Sequence, residues 1–369
     1  MAKKKTSKKT TTKTAPKMTP AKLQQELRRT DRELVTLLQK HVEVARQLGQ
    51  LQIEAGGAPF DPHQEEEFIE VAVARATEPL DPEVVRAIFR ELSSGARASL
   101  HRLRIAHLGP QHSYSHLAAI EYFGQSVEFQ PVATIRSVFE EVQNGQADFG
   151  IVPLENSTDG RVSDTLDMFT KLHVRICGEV NLPIQHALMA NCAREEVKEV
   201  RSKPQALSQC RGWLAEHVPG AKLVNVSSTS DAARAASEEK GVAAVASVQA
   251  GTFFGLDILA ENIADNPLNT TRFSVIGSET ARRTGNDKTA IMYQLEDKAG
   301  ALATSLGIFR RNQLNLTWIE SFPIPGEDRA YLFFIELEGH ENDVRVRRAI
   351  ESLQKKTIQL KVLGSFASS

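Results

Sequence analysis

Two short polar segments of this 369-residue chain carry side chains suited to binding a small anionic molecule. The segment 269–273 reads Asn-Thr-Thr-Arg-Phe, and the segment 155–158 reads Glu-Asn-Ser-Thr. Each places hydroxyl and amide groups beside a charged side chain, at what the apolar pattern predicts to be the exit of a strand. Such groups bind a carboxylate through hydrogen bonds, without a metal ion or a strong nucleophile. We therefore expect a site for a small carboxylate substrate, with no metal and no cofactor.

A third loop, 109–115, has the sequence Gly-Pro-Gln-His-Ser-Tyr-Ser and leads into a predicted helix. It offers backbone N–H groups and hydroxyls to a ligand. Because Ser, Thr and Asn are also the usual residues of helix caps and turns, capping is the alternative role for each loop on its own. For Arg272 we consider a carboxylate clamp and, as the alternative, a structural ion pair beside the sheet.

Short apolar strands alternate with helices around these loops, from residue 103 to residue 279. The predicted strands are 103–108, 147–153, 174–180, 187–190, 223–226 and 241–246. This alternation predicts an α/β domain with a mainly parallel sheet. Ligands of such sheets bind beyond the carboxyl ends of the strands, where helix N-termini favour anions.

A helical region, 19–100, precedes the α/β domain. Apolar residues at alternating steps of three and four predict one long helix with a coiled-coil-like seam: Leu23, Leu27, Leu34, Leu37, Val44, Leu48 and Leu51. The segment 56–59 breaks this helix, and further helices are predicted from Pro62 to Ala76 and after Asp81-Pro82. Three helices of this size form a small bundle, so we expect a second chain to cover the seam.

A small C-terminal domain, 287–366, completes the predicted architecture, which is multidomain α/β. Its apolar pattern predicts the element order βαββαβ, which is typical of a ferredoxin-like fold.

The composition limits the class of protein and its location. The hydrophobic fraction of 41% and the charged fraction of 25% are those of a soluble globular protein, and no apolar run reaches the roughly 20 residues that span a bilayer. The scattered Cys177, Cys192 and Cys210 indicate neither a disulfide framework nor a zinc site, and they favour a reducing cytoplasm. We expect residues 1–18 to be a disordered basic tail; an arm that binds nucleic acid is the alternative.

The central domain resembles prephenate dehydratases in four groups of residues. These are Gly109-Pro110 with the segment 114–119 (Tyr-Ser-His-Leu-Ala-Ala), the segment 152–157 (Val-Pro-Leu-Glu-Asn-Ser), the segment 204–207 (Pro-Gln-Ala-Leu) with Gln209-Cys210, and Asn269 with Thr271-Arg272-Phe273. The resemblance implies two α/β lobes, similar to a periplasmic binding protein, with the active site in the cleft between them. It also implies conversion of prephenate to phenylpyruvate, with loss of water and carbon dioxide, for phenylalanine synthesis.

The same resemblance implies the site residues. The catalytic set is Thr271, Asn156, Ser157 and Glu155, and the substrate-binding set is Arg272, Phe273, Ser113, Tyr114, Ser202 and Gln209. Within these sets we expect Thr271 to hydrogen-bond to, or protonate, the leaving hydroxyl group. The motifs serve arogenate as well as prephenate, and a non-catalytic amino-acid sensor is the alternative from another class.

The helical region resembles the chorismate mutase domain that is often fused to prephenate dehydratases. Asp61 and Glu65 match that family, but the positions of its cationic ligands are occupied by Gln24, His41, Gln52 and Gln64. A charge-assisted hydrogen bond contributes roughly 1.5–3 kcal/mol, so the loss of four cations leaves a dianionic substrate poorly bound. We therefore predict a domain without mutase activity that serves in dimerisation. The alternative is an active bifunctional enzyme, in which Arg46 and His41 rebuild the site.

The C-terminal domain resembles the ACT domain, an amino-acid-sensing module. The matching residues are Gly300, Ala301, Leu302, Asn315, Glu320 and Ser321. Phe322 stands where the family has arginine. The resemblance implies that phenylalanine binds between paired domains of a homodimer or larger oligomer and inhibits the enzyme. A domain that only oligomerises is the alternative.

Overall fold

The structure is a computed structural model that describes residues 19–56, 61–324 and 331–368. The predicted basic tail, 1–18, lies outside the described residues. Of the helices within these ranges, none is both long and apolar enough to cross a membrane.

Three helices form the N-terminal region: α1 (Pro20–Glu54), α2 (Pro62–Val73) and α3 (Pro82–Ala98). Each begins with proline at its first position, where no N–H donor is needed, after a capping residue whose side chain accepts a backbone N–H. The seam of α1 is largely open in the single chain, since Leu27, Leu37 and Leu51 are each 63–64% exposed.

The central region contains, in chain order, β1 (Arg104–Leu108), α4 (Tyr114–Phe123), β2 (Glu128–Val132), α5 (Ile135–Gln143), β3 (Phe149–Asn156), β4 (Gly160–Arg161), α6 (Ser163–Lys171), β5 (Arg175–Pro183), β6 (Ala187–Ala190), β7 (Glu199–Ser202), α7 (Pro204–Gln209), α8 (Arg211–His217), β8 (Lys222–Asn225), α9 (Thr229–Glu238), β9 (Val242–Ala246), α10 (Val248–Phe253), β10 (Asp257–Ala260) and β11 (Thr270–Gly277). Its strands form two sheets, one in each of two lobes. The order in lobe 1 is β2-β1-β3-β11-β5, with β4 beside β3, and the order in lobe 2 is β10-β6-β9-β7-β8. The chain crosses between the lobes after β5 and again before β11.

Both sheets are mixed, so the prediction of a mainly parallel sheet is wrong. In lobe 1, β1 pairs in parallel with β2 and β3, whereas β11 runs antiparallel to both β3 and β5. The chain returns from lobe 2 and enters lobe 1 from the cleft side, so β11 points the other way. The segment 269–273 therefore lies at the entrance of a strand rather than at its exit. This antiparallel pairing sets Thr271 directly opposite Asn156, at the end of β3.

The C-terminal region contains β12 (Asp287–Gln294), α11 (Ala301–Arg311), β13 (Leu316–Pro323), β14 (Tyr331–Glu338), α12 (Val344–Gln354) and β15 (Gln359–Ala367). Its sheet has the order β13-β14-β12-β15, with every neighbouring pair antiparallel. This sheet packs on lobe 1, and one hydrophobic cluster contains Phe169 and Ile176 of the lobe together with Phe334 and Leu363 of the sheet. A Cβ atom on Gly364 would lie 2.0 Å from the carbonyl oxygen of Ile176, so this contact requires glycine.

Candidate active site

A cavity of about 990 Å³ lies between the two lobes. Lobe 1 contributes the loop after β1, the end of β3 and the start of β11, and lobe 2 contributes the starts of α7 and α9. Among the site residues predicted from the sequence, those that line the cavity are Ser113, Tyr114, Asn156, Gln209, Thr271 and Phe273. The predicted loops thus meet at one place, because the ends of β1 and β3 and the start of β11 share one edge of the sheet.

Asn156 has a fixed orientation at the floor of this cavity. Its Oδ1 accepts the backbone N–H groups of Thr158 and Asp159, at 3.0 and 3.1 Å. Backbone nitrogens only donate, so the other amide atom is Nδ2, which donates to Thr271 Oγ1 at 2.8 Å and to Asn269 Oδ1 at 2.9 Å.

This direction decides what the Thr271 hydroxyl can do. An amide NH2 group only donates, so Thr271 Oγ1 accepts from Asn156 and its own proton is left for another acceptor. Thr271 and Phe273 both line the cavity, as residues two apart on one strand must share a face. The Thr271 hydroxyl therefore has a proton to donate and belongs to a residue that lines the cavity.

The same chain of donors continues into lobe 2. Asn269 Nδ2 donates to Gln209 Oε1 at 3.0 Å, so Gln209 Nε2 is the atom that donates to Asp159 at 2.8 Å. Gln209 Oε1 also lies 3.0 Å from His186 Nε2, which must then carry a proton. His186 Nδ1 is left as an acceptor 3.0 Å from the Tyr114 hydroxyl, whose one proton also has the Gln185 carbonyl oxygen as an acceptor at 2.6 Å.

Burial keeps the last two groups of this network neutral. It lowers the pKa of His186, with the Gln209 hydrogen bond as the opposing cause. It raises the pKa of Tyr114 well above its usual range, the nearby Cys210 adding to the effect. Apart from the Asp159 carboxyl group, the network therefore joins the two lobes through hydrogen bonds between neutral side chains.

An anion in the cavity meets one lysine and several helix N-termini. Lys203 lines the cavity, and so do Ser113, Thr134 and Ser228, which cap α4, α5 and α9. Helix N-termini carry partial positive charge and unpaired N–H groups, so they bind anions. Asp164 and Asp231 also line the cavity. Asp231 lies in the first turn of α9 and accepts from the capping Ser228 at 2.8 Å, so an acidic side chain already occupies the start of that helix. The region that favours an anion is therefore at Lys203 and the starts of α4 and α5.

Arg272 and Glu155 face away from the cavity, because successive residues of a strand alternate between faces. The Arg272 guanidinium lies 2.7 and 2.8 Å from the two carboxylate oxygens of the buried Glu336 and 3.2 Å from Glu155. It also contacts Glu179 at 3.4 Å and lies 4.6 Å from the centre of the Trp318 ring. The structure thus has the ion pair that we considered as the alternative for Arg272. It orders the contact between lobe 1 and the C-terminal sheet, and Arg272 is not among the residues that line the cavity.

Two predicted serines have structural contacts instead of lining the cavity. Ser157 Oγ accepts the Thr270 N–H at 3.0 Å and lies 3.3 Å from the Leu268 carbonyl oxygen, so it fastens the loop that leads into β11. Ser202 Oγ is buried and donates to the Val245 carbonyl at 2.6 Å, which fastens β7 to β9.

His186, Lys203, Gln205 and Asp159 were missed in the sequence. His186 and Asp159 lie in irregular segments, where no periodicity signals a role. Gln205 lies within the recognised segment 204–207 but was given no role there. Lys203 precedes that segment, and its nearness to the motif was the only signal available.

The predicted mutase residues lie in and around the three-helix region. Gln52 Nε2 donates to Gln64 Oε1 at 2.7 Å, and the His41 ring meets Phe89 edge-on at 6.1 Å. Gln24 is exposed on the first turns of α1. The two acidic residues are also engaged: Asp61 caps α2 and contacts Arg282 at 3.2 Å.

Glu65 forms an ion pair that ties the helices to lobe 1. Both its oxygens lie 2.6 Å from Arg97 Nη1, and Arg97 Nη2 donates to the Phe123 carbonyl at 2.6 Å. Burial raises the pKa of Glu65, and Arg97 opposes that rise.

The predicted effector residues lie at two places in the C-terminal region. Gly300 adopts φ 80° immediately before α11, which begins with Ala301 and Leu302. On β13, Glu320 pairs with Arg161 at 2.6 Å, and Ser321 follows it. Asn315 donates to Glu338 at 2.9 Å. Phe322 packs against the shared hydrophobic cluster, so the replaced arginine position faces lobe 1.

Comparison with known proteins agrees with this architecture. The family description "Prephenate dehydratase" matches residues 105–281, and "Chorismate mutase type II" matches residues 23–99. The bifunctional chorismate mutase/prephenate dehydratase of Aquifex aeolicus is 39% identical over 349 residues, which are 93% of this chain and 96% of that protein. The protein of the same name from Stutzerimonas stutzeri is 42% identical, over 78% of this chain and 80% of its own.

A solved structure gives the same result. The prephenate dehydratase from Arthrobacter aurescens, in complex with L-Phe, superposes with a TM-score of 0.67 and 33% identity, over 72% of this chain and 90% of that one. The predicted resemblance and the multidomain α/β fold are confirmed. The chain belongs to the bifunctional chorismate mutase/prephenate dehydratase family, and its central domain is a prephenate dehydratase.

Proposed function

We propose that the cavity between the lobes binds prephenate and converts it to phenylpyruvate for phenylalanine synthesis. The observation that carries this proposal is the Asn156–Thr271 hydrogen bond, whose direction leaves the Thr271 proton for the substrate. The cavity volume of about 990 Å³ is ample for one six-membered ring with two carboxylates.

The reaction requires orientation and one hydrogen-bond donor. When the ring carboxylate leaves as CO2, the electron pair of its C–C bond enters the ring and the C–O bond of the ring hydroxyl breaks. Thr271 donates to the departing oxygen, and a proton from solvent completes the water molecule. Formation of the aromatic ring drives the step, so the enzyme mainly positions the substrate and stabilises the leaving oxygen. Lys203 and the starts of α4 and α5 receive the carboxylates.

The test is product formation by the purified protein with prephenate, arogenate and chorismate in parallel. We expect phenylpyruvate from prephenate, and Thr271→Val to lower kcat about 10²–10⁴-fold, the range for loss of a positioned proton donor. Thr271→Ser, which keeps the hydroxyl, is the matched variant. Near-normal turnover by Thr271→Val would remove its assigned role, preference for arogenate would reassign the substrate, and no turnover with either would favour the sensor alternative.

We also propose that the helical domain has no mutase activity. Three amides and one imidazole occupy the four positions where the family places cations, and Gln52 and Gln64 hydrogen-bond to each other. The nearby arginines have carboxylate partners of their own, as in the pairs Arg46–Glu43 and Arg97–Glu65. A dianion would therefore lose its hydration without gaining charged partners. Enzyme-dependent loss of chorismate would contradict this proposal.

The role that remains for this domain is dimerisation. The seam of α1 exposes a row of leucines that a second copy of the chain would bury, at about 25 cal/mol per Å² of apolar surface. We expect a dimer in sedimentation experiments and dissociation of that dimer by Leu37→Lys. A wild-type monomer at micromolar concentration would rule this role out.

We further propose that phenylalanine binds to the C-terminal domain and inhibits the dehydratase. A relative whose solved structure contains L-Phe supports this, as do the matching residues at the start of α11 and on β13. Calorimetric titration with L-Phe and inhibition kinetics test it. Binding without inhibition would indicate a domain that senses phenylalanine but does not control turnover.

Three free thiols support the expected cytoplasmic location.

A further inference from the structure

A short hairpin links the catalytic strand to both lobe 2 and the C-terminal domain. It consists of residues 156–161, between Asn156 at the end of β3 and Arg161 in β4. Gly160, with φ 78°, makes its turn, and a Cβ atom there would meet nothing within 4 Å, so glycine is required by the backbone conformation and not by space.

Asp159 is the contact of this hairpin with lobe 2. Its Oδ2 accepts from the amides of Gln205 and Gln209, the latter at 2.8 Å. Both glutamines line the cavity, and Asp159 lies behind them, outside the lining. Its own N–H donates to Asn156 Oδ1 at 3.1 Å. Asp159 therefore sets the orientation of two cavity amides and shares a hydrogen bond with the residue that orients Thr271.

Arg161 is the contact of the hairpin with the C-terminal domain. Its Nη1 lies 2.6 Å from Glu320 Oε2 and donates to the Ser321 carbonyl at 3.3 Å. These two residues belong to the effector-binding set that the resemblance to ACT domains implies. Arg161 and Asp159 are separated by one residue, so a shift of one end of the hairpin by an ångström or two reaches the other end.

We propose that Arg161 is a positioning residue through which the effector site controls the cavity. The inference rests on the proposed regulation by phenylalanine. The ammonium group of a bound amino acid and the Arg161 guanidinium compete for the Glu320 carboxylate. When the amino acid binds, the hairpin loses its anchor on β13, and Asp159 no longer holds Gln205 and Gln209 in place. Because Arg161 and the amino acid compete for Glu320, removing the Arg161 side chain must strengthen binding of the amino acid while weakening inhibition.

The experiment compares the full-length wild type with Arg161→Ala, Arg161→Lys and Asp159→Ala. Calorimetry measures L-Phe affinity without prephenate, and kinetics give the ratio of kcat/KM without and with saturating L-Phe. For Arg161→Ala we expect L-Phe to bind 3- to 10-fold more tightly and the inhibition ratio to fall at least 5-fold, within the usual range of allosteric coupling. Arg161→Lys retains a cation opposite Glu320 and stays closer to the wild type. Asp159→Ala lowers the inhibition ratio although it changes no residue of the C-terminal domain.

The control is Arg29→Ala, which removes an exposed arginine paired with Glu33 on α1. If L-Phe affinity and inhibition ratio in Arg161→Ala equal those of this control, the inference is wrong while the proposed regulation stands. Weaker L-Phe binding in Arg161→Ala also overturns the inference, because it shows that Arg161 helps to form the L-Phe site and does not compete with L-Phe. If L-Phe neither binds to nor inhibits the wild type, regulation and inference fail together, and the dehydratase proposal is judged separately by turnover.

Discussion

Replacing Asn156 by aspartate reverses one hydrogen bond at the centre of the site. The two shapes are the same, and the oxygen that accepts from the backbone of Thr158 and Asp159 is retained. The amide nitrogen becomes an oxygen, 2.8 Å from Thr271 Oγ1. The Thr271 proton then turns towards the new carboxylate and is no longer available for a hydrogen bond to the substrate.

The expected loss follows from two contributions. A hydrogen bond to a charged group contributes roughly 1.5–3 kcal/mol, which is withdrawn from the leaving oxygen. The added carboxylate also lies two hydrogen-bond lengths, or about 5.5 Å, from that oxygen, and two unit charges at this distance repel by about 3 kcal/mol at an effective dielectric constant of about 20. At 1.4 kcal/mol per factor of ten, kcat/KM falls by about 10³–10⁴.

Phenylpyruvate formation from pH 5 to pH 8, corrected for the uncatalysed rate, measures this loss. Protonated aspartate is a donor again, so the ratio of variant to wild-type activity rises as the pH falls. Asn144→Asp, the same change at the exposed end of α5, is the control for added charge. A loss of less than tenfold in Asn156→Asp, or a ratio independent of pH, would refute the assigned direction of this hydrogen bond.

Three further predictions concern stability and the helical domain. Arg272→Met removes the guanidinium that pairs with the buried Glu336, so we expect the free energy of unfolding in urea to fall by about 3–5 kcal/mol, with Arg136→Met nearly neutral. Burial, with the neighbouring histidines adding to it, lowers the pKa of His116 from 6.5 to about 4, so below pH 6.5 the unfolded chain takes up a proton that the folded chain does not. The contribution of neutral His116 to the free energy of unfolding is therefore fully present above pH 6.5 and is lost towards pH 4, by about 3 kcal/mol. We expect His116→Asn to flatten this decline in urea titrations at a series of pH values. The same pH dependence in the variant as in the wild type would contradict this prediction. His41→Arg combined with Gln52→Lys restores two cations and raises any trace loss of chorismate; robust wild-type mutase activity would contradict our interpretation of this domain.

Local signals predicted the helices well, and long-range connections limited the rest. The starts of α1, α2 and α3 can be predicted because a capping residue followed by proline determines each of them. Both residues act on the first turn of the helix, so the signal is local. The direction of β11 is set by the return of the chain from lobe 2, which no window of neighbouring residues contains. Strand alternation alone predicts that Arg272 lies on the opposite face of β11 from Thr271 and Phe273, whereas the family motif places all three in the site.

The residues that complete the cavity show the same limit. His186 and Asp159 acquire their roles only in the folded chain, because both contact Gln209, which is distant in sequence. Gln209 lies 23 residues from His186 and 50 residues from Asp159. The inactive mutase site, the effector site and the domain boundaries remain predictions.

The sheet-to-lobe contact at Gly364 affects how this enzyme can be engineered for phenylalanine overproduction. Cutting away the C-terminal domain would be the simplest way to remove the feedback control that we propose. Here it would uncover Phe169 and Ile176, expose the surface that Gly364 touches and leave Arg272 without Glu336. Such a truncated enzyme would tend to aggregate. Point substitutions at the proposed effector site keep this surface covered, so they are the better route to a feedback-insensitive catalyst.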